Sequence, residues 1–171
     1  RKLALTNWGE GQRIIALAGI DAQSGVSTLC AELAAFSARS GRRTALLELA
    51  RPVAHAAQGW RLDTAPDDAT TRDDAGFDRI AVACAEDGQS LSDIGRLRGG
   101  IDQLGAYDTL VVDIAPLREI GTRAVDGPAA AAACGRIYLV PIAGQIDRAA
   151  LASTVSLLNA SKIELAGLIL N

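Results

Sequence analysis

The chain has 171 residues, of which 49% are hydrophobic and only 4% aromatic, and its formal net charge at pH 7 is −3. This length suits a single domain with an apolar core built from Ala, Leu, Ile and Val. The acidic balance and the lack of a basic stripe argue against nucleic acid as a partner. The apolar runs are far shorter than the roughly 20 residues of a membrane-spanning helix.

The first predicted strand follows a polar lead-in at residues 1–12. Residues 13–18 form an apolar run typical of a strand that is buried on both faces, and Gly19 ends it. Apolar residues then recur at helical spacing over 27–40, and Gly41 is placed to cap the end of this helix.

The rest of the chain alternates between predicted strands and helices. Strands are expected over residues 44–49, 77–84, 109–113, 136–141 and 165–170, and helices over residues 93–103, 128–134 and 147–160. Residues 53–76, whose middle is acidic, lack an apolar period and predict a mobile surface loop. A charge-rich loop is expected over 114–122. The alternation predicts a doubly wound α/β domain, with a mainly parallel sheet and helices on both faces.

The loop between the first strand and the first helix has the composition of a phosphate cradle. Gly25 is followed by the hydroxyl residues Ser27 and Thr28, at a helix start where N–H groups and the helix dipole favour an anion. These residues fit the second half of the motif G-x-x-x-x-G-K-[ST], but Val26 stands in the lysine position. An ordinary strand–helix turn with capping hydroxyls has the same composition, so both interpretations stay open.

The cysteines and the single histidine do not form a recognisable site. Cys30, Cys84 and Cys134 are scattered in apolar settings, which predicts reduced core thiols rather than disulfides or metal ligands. His55 has no cysteine or acid at ligand spacing and is expected to be a solvated loop residue.

Five stretches of the chain, taken in order, resemble a known family. They are QSGVST, SARSGRRTALLEL, YDTLVVDIAP, AACGRIYLVPIAGQIDRAAL and ELAGLILN. Their order and spacing are similar to those of the MinD/ParA-like P-loop ATPases, and among these to the bacterial tyrosine kinases (BY-kinases) of capsule and exopolysaccharide assembly. The resemblance runs from about residue 13 to residue 171 and implies a P-loop NTPase-like fold with a degenerate nucleotide site.

The resemblance also implies roles for particular residues. Asp113 matches the catalytic Walker B acid, which holds magnesium through water, and Ser27 matches the magnesium-ligating hydroxyl. Thr28 falls near the α-phosphate, together with Gly25 and Val26 of the same loop. Glu48 matches the first magnesium-organising acid of an Asp-x-Asp motif, and Asn171 matches the asparagine that contacts the base.

Other positions depart from the family pattern. Val26 brings no cation, Ala50 replaces the second acid of Asp-x-Asp, and Asp21 stands where MinD/ParA relatives carry a second lysine. The nearest replacement cations in sequence are Arg42, Arg43 and Arg51. Because phosphoryl transfer depends on lysine and magnesium for charge neutralisation, we expect weak or no binding of ATP or ADP with magnesium, and no efficient turnover.

The resemblance implies a regulatory or scaffolding role in surface polysaccharide synthesis and export. The expected place is cytoplasmic, peripheral at the inner face of a bacterial membrane. The expected partner is a membrane polysaccharide co-polymerase or export protein, and self-association into a homo-oligomer is also considered. Two alternatives stay open: an active ATP-dependent tyrosine autokinase with an atypical site, and a MinD/TadZ-like positioning protein.

Overall fold

The structure is a computed structural model that describes residues 13–50, 59–62, 66–83, 90–119, 123–145 and 147–171. The predictions made for the lead-in, for His55, for Cys84 and for Arg51 fall outside the described residues.

Seven strands and four helices make up the described part of the chain. The strands are β1 (Ile14–Ala18), β2 (Thr44–Glu48), β3 (Thr70–Arg72), β4 (Asp78–Ala81), β5 (Thr109–Ile114), β6 (Arg136–Leu139) and β7 (Glu164–Leu168). The helices are α1 (Val26–Arg39), α2 (Ile94–Gln103), α3 (Gly127–Cys134) and α4 (Arg148–Ala160). Two of the predicted helix starts are explained by capping: the carboxylates of Asp93 and Asp147 accept hydrogen bonds from the first N–H groups of α2 and α4.

The strands form one sheet in the order β3-β4-β2-β5-β1-β6-β7. Every neighbouring pair is parallel except β3 and β4. The predicted doubly wound, mainly parallel sheet is therefore confirmed. Since parallel strands end at a common edge, the residues that follow β1, β2 and β5 meet there, which is where ligands bind in such sheets.

Apolar side chains cover both faces of this sheet, as its fully apolar central strands require. On one face α1 packs against the sheet in a cluster that includes Leu17, Leu29, Leu33, Leu46 and Val111. On the other face α2 and α3 share a cluster with Leu47, Leu97, Ile101, Leu110 and Val112. The core thus fixes β1, β5 and α1 relative to one another.

The stretch predicted as a mobile loop, residues 53–76, differs from that expectation where it is described. Trp60 is only 1% exposed and its backbone forms a parallel bridge to Val82. A short 3-10 helix at Pro66–Ala69 leads into β3, which pairs antiparallel with β4. The loop prediction is wrong for these residues, because a three-residue edge strand of Thr and Arg shows no apolar period in the sequence.

Candidate functional site

The loop between β1 and α1 turns sharply at two left-handed residues. Gly25, directly before α1, has φ of +73°, and Gln23 has φ of +66°. The backbone conformation therefore favours glycine there, and a Cβ would also displace the side-chain amide of Asn171. No side chain among the described residues caps α1. The N–H groups of its first turn therefore border the loop as an anion-favouring end.

An open cleft with a volume of 250 Å³ lies against this loop. It is lined by Gly19, residues 22–28, Ala50, Asp113, Ile114, Pro116 and Arg123. Of the residues predicted from sequence, the four of the loop (Gly25, Val26, Ser27 and Thr28) and Asp113 line this cleft together. Glu48 and Asn171 are not part of its lining.

Asp113 is a buried carboxylic acid in the lining of the cleft. It is 5% exposed, and among the described residues its Oδ1 has no hydrogen-bond partner. Burial raises the pKa of Asp113 from its ordinary 3.8 to about 6, and nearby Glu48 raises it further, whereas the Ser27 hydroxyl and Arg123 lower it. Burying a carboxylate oxygen without a hydrogen-bond donor lowers the stability of the fold unless a ligand or cation contacts that oxygen. The predicted role of Asp113 beside a metal ion stays a prediction.

Val26 occupies the lysine position with a buried side chain. It is 7% exposed and belongs to the apolar cluster that α1 forms with Leu17 and Leu29. The position therefore contributes packing to the core and no charge to the cleft.

Glu48 lies beside Asp113 but is bound to an arginine. The two residues are register partners on β2 and β5, so their side chains leave the same face of the sheet. Arg79 Nη1 donates to Glu48 Oε1 at 2.7 Å, and Arg79 Nε donates to Asp73 at 2.8 Å. The expected metal ligand thus sits in an ion-pair network next to the cleft. Ser27 and Asp113 are the members of the predicted metal set that line the cleft.

Asn171 fastens the loop from the other end of the chain. Its Nδ2 donates to the carbonyl of Ser24 at 2.9 Å, and its own backbone is tied to Pro141 and Ala143. This contact holds the loop residue that precedes Gly25. The predicted contact of Asn171 with a base is not tested by this geometry and stays a prediction.

Arg123 is the cation that lines the cleft, and sequence reasoning missed it. Arg42 and Arg43 lie before β2, at the opposite edge of the sheet, where they contact Thr109 and the ring of Tyr107. Arg123 directly follows the charge-rich loop predicted over residues 114–122, and its place at the cleft depends on the tertiary fold.

Asp21, in the position of the second lysine, forms an exposed ion pair. Its Oδ1 accepts from Arg118 Nη1 at 3.3 Å, and its side chain is 65% exposed. Asp21 lines a second, smaller cleft of 140 Å³ next to Pro141, Gln145 and Asp147, outside the cleft that holds Asp113. Its negative charge is therefore partly offset by Arg118.

Other kinds of site find little support in the described residues. They contain no group of three or more His, Cys, Asp or Glu side chains that could hold a metal ion. Cys30 and Cys134 are free thiols, and burial raises the pKa of Cys134 to about 12. Over the described ranges, no helix has both the length and the apolar character that would let it cross a membrane.

No protein-family model and no curated protein matches the chain. Solved structures do match it. The tyrosine kinase domain of BceF is 22% identical with a TM-score of 0.69, over 93% of this chain and 68% of that one. The kinase domain of the Escherichia coli tyrosine kinase ETK is 20% identical with a TM-score of 0.73, over 93% and 67%. The septum site-determining protein MinD from Pyrococcus horikoshii, complexed with Mg-ADP, is 18% identical with a TM-score of 0.66, over 93% and 70%.

These similarities confirm the predicted fold. The chain has the α/β fold that tyrosine kinase domains of the BY-kinase type share with MinD-like P-loop ATPases. The chemistry of its cleft has to be argued from its own residues.

Proposed function

We propose that this chain is a BY-kinase-like P-loop domain that holds a nucleotide weakly, transfers no phosphate efficiently, and acts as a regulatory or scaffolding component of surface polysaccharide export. The observation that carries the proposal is the buried Val26 in the lysine position, in the lining of the cleft that also contains Gly25, Ser27 and Asp113. Without that lysine the cleft lacks the main neutralising charge of a phosphoryl-transfer site.

The residues of the cleft fit a phosphate with magnesium in part. The N–H groups around Gly25 and the first turn of α1 would hold phosphate oxygens. The Ser27 hydroxyl and the Asp113 carboxylate offer the hard oxygen ligands that magnesium prefers. A bound magnesium ion would supply charge neutralisation. The second acid of the motif is Ala50, and Glu48 is paired with Arg79, so binding is better supported than turnover.

The two tyrosines of the chain are poor acceptors for a phosphate. The hydroxyl of Tyr107 donates to Asp78 at 3.0 Å, and Tyr107 precedes β5 at the edge of the sheet opposite the cleft. Tyr138 lies within β6, in register with Leu17 of β1. Phosphorylation of either tyrosine within residues 1–171 would have to disrupt one of these positions.

The cellular role rests on the resemblance to BY-kinases of polysaccharide assembly. A domain that keeps the fold and loses turnover can still contact the membrane protein that a related kinase would serve. We therefore propose a membrane co-polymerase or export protein as partner, with the chain peripheral at the inner face of the membrane.

Calorimetric titration with ATP and magnesium, combined with an ATP-hydrolysis assay and phosphotyrosine detection, tests the biochemical part. We expect a dissociation constant of roughly 0.1 mM or weaker, negligible hydrolysis and no phosphotyrosine. Phosphotyrosine that appears on the purified chain and vanishes in Asp113→Asn would contradict the proposal and favour an active atypical autokinase.

Complementation of a deletion strain tests the cellular part. An Asp113→Asn chain should restore polysaccharide export as well as the wild-type chain, because the proposed role needs no catalysis. A polar position of the protein in cells, with unchanged polysaccharide after its deletion, would instead favour a positioning protein.

A further inference from the structure

Arg123 is held at the cleft by a specific set of contacts. Its Nε and Nη2 donate to Glu119 Oε2 at 3.1 Å, and its Nη1 donates to the carbonyl of Ala50 at 3.2 Å. A guanidinium carries five N–H donors, and these contacts use three. Among the described residues, one N–H on each terminal nitrogen therefore has no partner. The side chain is 26% exposed, so it is partly shielded and still reachable from solvent.

The residues that follow Arg123 are packed in the core. Ala124 and Val125 are fully buried, and Val125 forms a parallel bridge to Leu91. The guanidinium itself contacts Glu119 and the carbonyl of Ala50. Together these contacts favour a defined position of the guanidinium over a freely moving one.

The cleft itself indicates a charged ligand by two independent features. One is the uncapped start of α1 beside Gly25, which favours an anion. The other is Oδ1 of Asp113, which is buried and, within the described residues, unpartnered, and which favours a cation. A phosphate group accompanied by a divalent cation satisfies both features together, and Arg123 lines the same cleft.

We propose that Arg123 is the phosphate-binding cation of this cleft, in place of the missing lysine, and that Glu119 competes with the ligand for it. The ligand class is a polyphosphate, either free or as the phosphate chain of a nucleotide. The inference rests on the proposed nucleotide-binding function and identifies its cation. Arginine suits this task because its planar fork can hold two phosphate oxygens at once.

Glu119 is expected to weaken the site in the absence of ligand. Its ion pair with Arg123 has to be loosened or shared before the guanidinium can turn fully to a phosphate. Partly exposed ion pairs of this kind contribute only modestly to the free energy of folding. Removing the negative charge of Glu119 should therefore strengthen polyphosphate binding by about two- to fivefold.

Calorimetry of the purified chain with magnesium tripolyphosphate, and separately with magnesium ATP, tests the proposal. Arg123→Gln should weaken both interactions by roughly tenfold to a hundredfold, whereas Arg123→Lys should restore part of the loss. Glu119→Gln should bind more tightly than the wild-type chain, and this gain should disappear when Arg123→Gln is added. Arg118→Gln is the matched control, since it removes an arginine that pairs with Asp21 and lines neither cleft.

The outcomes separate this inference from the proposed function. If the wild-type chain binds the ligand and Arg123→Gln binds equally well, the role of Arg123 alone is overturned. The same holds if Arg123→Gln lowers the affinity no more than Arg118→Gln does. If neither the wild-type chain nor Glu119→Gln binds the ligand, both the phosphate site and the role of Arg123 are overturned. If Arg123→Gln does not fold, as judged by its thermal transition, the gain with Glu119→Gln decides, and its absence refutes the proposal.

Discussion

Replacing Asp113 by asparagine should make the protein more stable at neutral pH. The Asp113 side chain is 5% exposed, and burial raises its pKa to about 6 from the ordinary 3.8. The folded protein therefore binds this proton more tightly than the unfolded chain, and stability falls as the pH rises from about 4 to about 6. Each tenfold difference in proton affinity corresponds to about 1.4 kcal/mol, so the ionised carboxylate costs about 3 kcal/mol above this window. Asparagine has nearly the same shape and stays neutral.

Equilibrium unfolding in urea, with a chelator present to remove divalent cations, measures this difference. We expect Asp113→Asn to exceed the wild-type free energy of unfolding by about 3 kcal/mol near pH 7.5 and by only about 1 kcal/mol near pH 4.5. Asp93→Asn is a suitable control, because asparagine caps α2 as well as aspartate does. The reasoning is refuted if Asp113→Asn is destabilised near pH 7.5, or if its advantage is the same at both pH values.

Three further substitutions test the loop and the fold. Val26→Lys should strengthen ATP binding, measured by calorimetry, by roughly tenfold to a hundredfold. It should also lower the free energy of unfolding in urea by about 1–3 kcal/mol. The control Val26→Gln should show the loss of stability without the gain in ATP affinity. Gly25→Ala should weaken polyphosphate binding in calorimetry and lower stability by about 1–2 kcal/mol, because of its positive φ and the Asn171 amide. Trp60→Ala should cost about 3–5 kcal/mol in urea unfolding, whereas a mobile loop at residues 53–76 would show almost no change.

The sequence predicted the elements whose residues carry a local signal. The apolar runs of β1, β2 and β5 are long enough to identify buried strands, and Asp147 marks the start of α4 by capping. Strand β3 has three polar residues on a sheet edge, so its place depends on pairing with β4 and not on its own composition.

The candidate site could be predicted only where its residues are close in sequence. Gly25 to Thr28 are consecutive residues at the start of α1, and Asp113 lies near the end of the apolar strand β5, so both could be proposed from local sequence. Arg123 is distant in sequence from residues 25–28 and lies at the cleft only because of the tertiary fold. The partner of Glu48 is equally non-local, since Arg79 lies 31 positions away along the chain. Ion pairs of this kind leave no pattern in a single sequence, which is why the nearest arginines in sequence, Arg42 and Arg43, were the wrong ones to consider.

The charges around the cleft are the basis for the proposal that this protein binds a phosphate ligand without efficient catalysis. Asp21, Glu48 and Glu119 each pair with an arginine, respectively Arg118, Arg79 and Arg123. In the described part of the chain, Asp113 is the residue with a buried side-chain oxygen that lacks a partner. A phosphoryl-transfer site needs several groups that act on the reacting phosphate at once. Here three of the four carboxylates are paired with arginines. In the proposed function, the remaining acid, Asp113, retains a cation beside a phosphate without the lysine that efficient transfer requires.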